Sequence, residues 1–214
     1  QYVYPFYGIL YIGPLAFADF PLAAAVYMEV LLIGMILTLG LMLDALKTLP
    51  KPVTLGVMML WTLIAYFTVR GLLLGQPEFV AYIAHIVALW GILKGHDKTA
   101  GVALAVSTVK PQTGFLIVPL LLIWAWRMKR HNIISAFVAM FGLLCGLSFI
   151  LQPTWLFDWI ERMQSYAGYA ETFPAAHILT HFLNMDSPIE DLAYVLLSLA
   201  LLLPVLYLWK KNDP

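Results

Sequence analysis

Long apolar stretches separated by short polar segments recur along the whole chain. A helix that spans a bilayer takes about 17–25 apolar residues, and several of these stretches reach or approach that length. A transmembrane β-barrel is excluded, because barrel strands alternate apolar and polar residues over about 10 positions. The predicted helical segments are residues 21–46, 53–69, 79–93, 100–126, 133–151 and 192–209. The pattern therefore predicts an all-α, polytopic helical membrane protein.

The apolar segment 100–126 is interrupted by the run Ser-Thr-Val-Lys-Pro-Gln-Thr at residues 107–113. A lysine inside such a segment is costly, and it usually has a partner or a task. Pro111 lacks the N–H that a continuing helix needs, and its ring clashes with the preceding turn. We therefore expect a re-entrant or broken helical hairpin that turns near Lys110.

The basic residues indicate how the segments are arranged across the membrane. Nine of the twelve Lys and Arg residues lie in four clusters, namely Lys47 with Lys51, Lys94 with Lys98, Arg127 with Lys129 and Arg130, and Lys210 with Lys211. Short basic loops remain on the cytoplasmic side. An unbroken helix over 100–126 would separate the second cluster from the third, whereas a hairpin keeps them together. The Lys110 turn is then expected in a protein-lined cavity that opens to the non-cytoplasmic side.

Two further segments suit a membrane boundary. Residues 2–17 are aromatic and broken by Pro and Gly, which is typical of an interfacial or re-entrant segment. Residues 152–191 are expected to form a non-cytoplasmic loop that contains an interfacial helix over 155–163. We interpret residues 1–214 as a single transmembrane helical domain, the C-terminal portion of a larger membrane protein.

Composition narrows the function classes. Hydrophobic residues make up 62% of the chain and charged residues 11%, against roughly 25% charged residues in soluble domains. The formal net charge of zero gives no support for a nucleic-acid partner. The sequence contains no Gly-rich nucleotide loop and no Cys/His metal motif, so neither a cofactor nor a metal is expected.

Polar side chains that reach the outer side under this topology are candidates for substrate binding: Arg70, Gln76, Lys110 and Gln112. Arginine clamps phosphate with two hydrogen bonds, and lysine acts as a point charge. Together with the two amides they would suit the phosphate of a lipid-linked anionic substrate. In the alternative interpretation, Arg70 extends to the headgroups and Lys110 pairs with an acidic residue for structural reasons.

His177 and His181 lie four residues apart in the outer loop, a spacing that places both on one helix face. Two ligands without a third are weak support for a metal site. One of them could instead hydrogen-bond to a sugar or phosphate, or both could simply pack within the loop.

Several short motifs occur in a characteristic order. Tyr4-Pro5-Phe6 is followed by Gly13-Pro14-Leu15, then by Gly75-Gln76, and finally by residues 101–105 that lead to Lys110-Pro111. This order resembles the GT-C superfamily of integral-membrane glycosyltransferases. Within it, the chain is most similar to bacterial polyprenol-phosphomannose-dependent mannosyltransferases.

The resemblance implies a GT-C-like bundle in a bacterial plasma membrane. Such enzymes transfer a sugar, here mannose-like, from a polyprenyl-phosphate donor to an acceptor at the outer membrane face. Gln76 and Lys110 are expected near the donor phosphate, where the lysine would stabilise the leaving group. The family's general base, an aspartate in the first outer loop, is expected before Gln1, and His177 is the remaining candidate within this sequence. Glu78 stands where the family often has asparagine.

Two other function classes remain open. The chain could be a non-catalytic membrane subunit that scaffolds a larger complex with other membrane subunits, an interpretation that its few polar residues and the unseen base favour. A transporter would be expected to show paired broken segments in two halves, and the sequence shows one such break.

Overall fold

The computed structural model of the chain describes residues 4–166 and residue 196. The chain forms two compact units, Gln1–Gln164 and Ser165–Pro214. The described α-helices are α1 (Gly8–Ile12), α2 (Phe20–Ala45), α3 (Pro52–Ile64), α4 (Tyr66–Leu73), α5 (Glu78–Lys94), α6 (Asp97–Ser107), α7 (Pro111–Gly114), α8 (Ile117–Arg127), α9 (His131–Leu151) and α10 (Trp155–Tyr166), and a 3₁₀ helix covers Gly13–Phe17.

Two of these helices, α2 and α9, are long and apolar enough to cross a membrane. Helix α2 begins directly after Asp19 with Pro21 in its first turn, where the missing proline N–H costs nothing. The bounds of α2, α5 and α9 differ from the predicted segments by at most two residues. The predicted all-helical membrane bundle is therefore confirmed.

The core is built on close approaches between α5, α6 and α9. A Cβ on Gly101 of α6 would lie 2.2 Å from the backbone oxygen of Ile133, so only glycine allows α6 and α9 to pack at this distance. On the other side, a Cβ on Gly91 of α5 would lie 3.1 Å from the backbone nitrogen of Ala100. Small residues that bring helix backbones together are characteristic of helix packing in membranes. The buried residues of this cluster are Ala88, Ala100, Ala103, Leu104, Val118, Ala125 and Ile133.

Polar contacts tie several helix ends together at one end of the bundle. Asp44, near the end of α2, accepts hydrogen bonds from Lys94 Nζ and Trp90 Nε1, each at 2.8 Å. Arg130, which follows α8, donates from Nε to Asp97 Oδ1 at 3.0 Å and from Nη1 to the backbone oxygen of Ile92 at 2.9 Å. The first three basic clusters therefore share one end, as the sequence predicts, while the fourth lies outside the described residues.

The predicted break near Lys110 is confirmed. Helix α6 ends at Ser107, a single helical turn forms α7, and α8 follows from Ile117. Because Arg130 bonds to Asp97, the end of α8 lies beside the beginning of α6. Side chains of both helices also belong to the same buried cluster. The two helices thus form the arms of a hairpin whose turn contains Lys110.

One predicted helix is divided in the structure. Residues 53–69 were expected to form one span, but the backbone leaves the helical region at Ala65, with ψ at 136°, and separates α3 from α4. No residue of α3 is buried, whereas Thr68 and Leu72 of α4 are. Leu72 packs with Leu31 and Met35 of α2 and with Phe79. Burial of α4 against α2 and α5 therefore outweighs helix continuity at Ala65.

The helix expected over 155–163 is present as α10, which extends from Trp155 to Tyr166. Its N-terminal segment is fixed by Asp158, which accepts hydrogen bonds from Gln152 Nε2 at 2.6 Å and Thr154 Oγ1 at 2.9 Å. The remainder of the predicted outer loop and the predicted helix over 192–209 lie outside the described residues, apart from residue 196.

Candidate functional site

The Lys110 turn satisfies its backbone polar groups locally, although it interrupts a helix. Thr113 donates to the Lys110 carbonyl from both its backbone nitrogen, at 3.1 Å, and its Oγ1, at 2.8 Å. Ser107 Oγ donates to the Leu104 carbonyl at 2.7 Å, and Thr108 Oγ1 donates to the Ala105 carbonyl at 2.6 Å. These hydroxyls replace bonds that the broken helix has lost, which is what allows irregular backbone among apolar helices.

A second contact fixes the turn from the N-terminal segment. The Tyr7 hydroxyl donates to the Thr108 carbonyl and also lies 3.1 Å from Thr108 Oγ1. Burial raises the pKa of the Tyr7 hydroxyl to about 12, although the hydrogen bond to Thr108 opposes this. The phenol is therefore neutral at physiological pH and can act as a donor.

The ammonium group of Lys110 has two partners at the beginning of α5. Its Nζ donates to Glu78 Oε2 at 2.6 Å and reaches Gln76 Oε1 at 3.4 Å, which is a weak contact. The Lys110 side chain is 15% exposed and that of Glu78 is 39% exposed. An ammonium group carries three N–H donors. Among the described residues, one donor is taken by Glu78 and a second is weakly held by Gln76, and the third has no acceptor there.

The turn before α5 determines where Gln76 and Glu78 lie. Gly75 has a φ of +58°, and the Gly75 and Gln76 backbone nitrogens donate to Leu72 and Gly71 at the end of α4. This is a Schellman motif, which needs a residue that tolerates the left-handed conformation. Glu78 then occupies the first turn of α5, where the helix dipole favours a negative charge.

An apolar cavity of about 610 Å³ adjoins this cluster. It lies between the N-terminal segment, the first half of α2, the end of α4 and the beginning of α5. Gly75, Pro77 and Val109, the chain neighbours of Gln76, Glu78 and Lys110, form part of its wall. We call it the first cavity. Its lining is mostly apolar, and the charged residues Lys110 and Glu78 directly follow wall residues in the chain, which suits an amphiphile with an anionic head.

The other two predicted binding residues are not part of the Lys110 cluster. Arg70 is exposed, and within the described residues its guanidinium makes no hydrogen bond or ion pair. It lines a separate open cavity of about 700 Å³ with Ile64, Tyr66 and Val69 among others. Gln112 is exposed on α7. His177 and His181 lie outside the described residues, so the histidine hypotheses stay predictions.

Glu78 was missed as a site residue by the sequence reasoning, which noted it only as a departure from the resembled family. The available signal was its place two residues after Gln76, on the side expected to carry the Lys110 turn. Among the residues that the structure describes, no group of three His, Cys, Asp or Glu side chains is arranged to hold a metal ion.

The family model for glycosyltransferase family 87 matches residues 2–213, almost the whole chain. The chain belongs to glycosyltransferase family 87. This is a GT-C-type family of integral membrane proteins, so the resemblance to the GT-C superfamily is confirmed. No curated protein and no solved structure matches the chain.

Family membership supports a glycosyltransferase activity and a membrane location for this chain. It also indicates a donor linked to a lipid. The donor's chemical class, the acceptor and the membrane face go beyond the match and are taken up below.

Proposed function

We propose that this family 87 chain transfers a mannose-like sugar from a polyprenyl-phosphate donor to an acceptor at the non-cytoplasmic membrane face. The observation that carries the proposal is a half-buried ammonium group with a donor that has no acceptor among the described residues, on a residue next in the chain to the wall of an apolar cavity. Lys110 would hold the phosphate, Gln76 would contribute its amide, and the isoprenoid chain would lie in the first cavity.

The charges of Lys110 and Glu78 support binding of an anion that is attached to an apolar chain. Glu78 compensates the charge of Lys110 in the unliganded protein, which makes a lysine tolerable among apolar helices. When sugar leaves a polyprenyl phosphate, negative charge grows on the phosphate oxygen. A fixed ammonium group stabilises that charge more than the ground state, and this difference lowers the barrier.

The proposed membrane face follows from the arrangement of charges. Three basic clusters share the end of the bundle marked by Asp44, Lys94 and Arg130. Lys110 lies at the other end of α5, beside Glu78. Because basic loops stay cytoplasmic, we place Lys110 toward the opposite face, and we propose a multi-pass location in a bacterial plasma membrane.

The test is sugar transfer by the full chain in lipid nanodiscs, with a radiolabelled polyprenyl-phosphate mannose as donor. Lys110→Met should reduce transfer by at least tenfold, since a hydrogen bond to a charged group contributes about 1.5–3 kcal/mol. Lys98→Met is the matched control, because Lys98 is exposed at the opposite end of the same hairpin arm and should transfer normally. Equal transfer by both variants would remove Lys110 from the mechanism.

One observation favours a second function. Lys110 already has a counter-charge in Glu78, so the pair could serve only to join α5 to the hairpin. The chain would then be a non-catalytic subunit that scaffolds other membrane subunits. Folded wild-type protein that transfers no sugar from any polyprenyl-phosphate donor would support this scaffold.

A further inference from the structure

The carboxylate of Glu78 lies directly against the ammonium group of Lys110. Its Oε2 accepts a hydrogen bond from Lys110 Nζ at 2.6 Å. Its Oε1 lies beside Gly71 of α4, where a Cβ would come within 2.9 Å of it. The carboxylate therefore lies between α4 and the Lys110 turn. An anion that binds Lys110 either displaces this carboxylate or binds next to it, and in both cases it meets a negative charge.

The two members of this pair differ in how readily they can separate. The Lys110 side chain is 15% exposed, whereas that of Glu78 is 39% exposed and can be hydrated. Glu78 also lies in the first turn of α5, where the helix dipole stabilises a carboxylate without help from a lysine. The next residue, Phe79, is buried and fixes the beginning of the helix. The Glu78 side chain can therefore turn away from Lys110, but its charge stays close to the site.

The proposed reaction changes the charge of the ligand that Lys110 holds. The bond between the anomeric carbon and the phosphate oxygen breaks, and its electron pair stays on the phosphate. The acceptor hydroxyl oxygen bonds to the same carbon, and its proton passes to the solvent. The donor is a phosphodiester with one negative charge, whereas the spent lipid is a phosphate monoester with a charge of about −1.5 to −2 at pH 7. A lone ammonium group would therefore hold the product more tightly than the donor.

We propose that Glu78 weakens binding of the more highly charged product more than binding of the singly charged donor, and so promotes release of the spent lipid phosphate. This inference rests on the proposed function, in which Lys110 binds the donor phosphate. The formal charges of Lys110 and Glu78 cancel, so a ligand gains little by carrying a second negative charge. In this role Glu78 acts through its charge and takes no part in bond making.

Binding can be measured without catalysis, with two probes that share one chain and differ in charge. Farnesyl phosphate is a monoester, like the product, and farnesyl methyl phosphate is a diester, like the donor. Both Kd values are obtained for the full chain in phosphatidylcholine nanodiscs, by competition with radiolabelled farnesyl phosphate. Glu78→Gln should tighten binding of the monoester about tenfold and that of the diester about threefold, because repulsion grows with the charge of the ligand. The ratio of the two Kd values is the decisive quantity, since a general change in the fold would affect both probes alike.

Two control variants separate the position of the charge from the number of charges. Glu161→Gln removes an exposed carboxylate on α10 and should leave both Kd values unchanged. Glu78→Asp keeps the charge at the beginning of α5 and should keep the wild-type ratio. An unchanged ratio in Glu78→Gln would overturn the inference, and so would an equal change in Glu161→Gln.

A variant that adds charge tests the same point without breaking the ion pair. Gln76 Oε1 lies 3.4 Å from Lys110 Nζ, so Gln76→Glu places a second carboxylate beside the ammonium group. It should weaken binding of farnesyl phosphate more than binding of the diester, which moves the ratio in the opposite direction from Glu78→Gln. This variant remains informative if Glu78→Gln is too unstable to purify. A ratio unaffected by Gln76→Glu would overturn the inference.

Steady-state transfer separates this inference from the proposed function. With radiolabelled polyprenyl-phosphate mannose as donor, Glu78→Gln should lower the Ki of farnesyl phosphate about tenfold and the donor KM about threefold. Progress curves should therefore level off earlier than for wild type. An unchanged ratio of Ki to KM, with transfer still lost in Lys110→Met, would refute the role of Glu78 and leave the transferase intact. The expected shifts in probe binding without sugar transfer by the wild-type chain would instead refute the proposed function and leave a charge-selective anion site.

Discussion

The pair formed by Lys110 and Glu78 gives the sharpest test of whether the lysine binds substrate or only holds helices together. Breaking a buried ion pair on one side costs about 3–5 kcal/mol, whereas an exposed pair contributes about 0–1 kcal/mol. With Lys110 15% and Glu78 39% exposed, the pair lies between these limits. We expect Glu78→Gln to lower the free energy of unfolding by about 2 kcal/mol.

The double variant Lys110→Met with Glu78→Gln removes both charges. It should recover most of the lost stability, because replacing a buried pair by uncharged groups is often close to neutral. A chain of this size shifts its Tm by about 2–4 °C for each kcal/mol. Thermal unfolding in detergent should therefore show Glu78→Gln lower by about 4–8 °C and the double variant close to wild type.

Sugar transfer then separates the two interpretations. If the lysine binds donor phosphate, the stable double variant should still lose transfer by about 10- to 100-fold. Asp44→Asn is the matched control, since it breaks an exposed pair, with Lys94 at 25% and Asp44 at 56% exposure, and should change neither quantity much. A double variant that transfers sugar at the wild-type rate would refute the phosphate-binding role.

Three further predictions follow from the fold. Gly75→Ala should destabilise the chain by about 1 kcal/mol, measurable as a lower Tm, because Gly75 has a φ of +58°. Gly101→Ala should lower the Tm far more than Gly142→Ala, since the first Cβ would collide with backbone and the second would meet nothing; equal Tm values would contradict the close helix contact. On a Cys145→Ala background, Phe17→Cys and Leu49→Cys, at positions 96% and 95% exposed, should react with an impermeant thiol reagent from opposite sides of the membrane, and labelling of both from one side would refute the topology.

The helix break at Lys110 could be predicted because its cause is local: a proline and a lysine stand together inside an apolar run. The break at Ala65 could not, because alanine is the best helix former and the cause is the burial of Leu72 against α2 and α5. Packing partners of that kind are distant in sequence, and a pattern of apolar residues does not specify them.

The candidate site was predicted only in part, again because some of its contacts depend on packing between residues that are distant in sequence. Gln76 and Lys110 were identified from their types and order, and the structure brings them within 3.4 Å. Glu78 could be recognised as a site residue only from the structure. Its role depends on the left-handed turn at Gly75 and on how the hairpin docks against α5. Arg70 and Gln112 were expected at the same site. Both side chains are exposed, and neither belongs to the Lys110 cluster in the unliganded chain.

The order of Glu78 and Lys110 along the chain bears on biogenesis. The carboxylate precedes the lysine by 32 residues, so it leaves the ribosome first and reaches the translocon with α5. When the arms of the hairpin are inserted afterwards, Lys110 can pair with Glu78, which is already in the membrane. The ammonium group therefore does not have to enter the lipid without a counter-ion. A chain with the two residues exchanged would form the same bond, but its cation would have to be inserted before any anion was present.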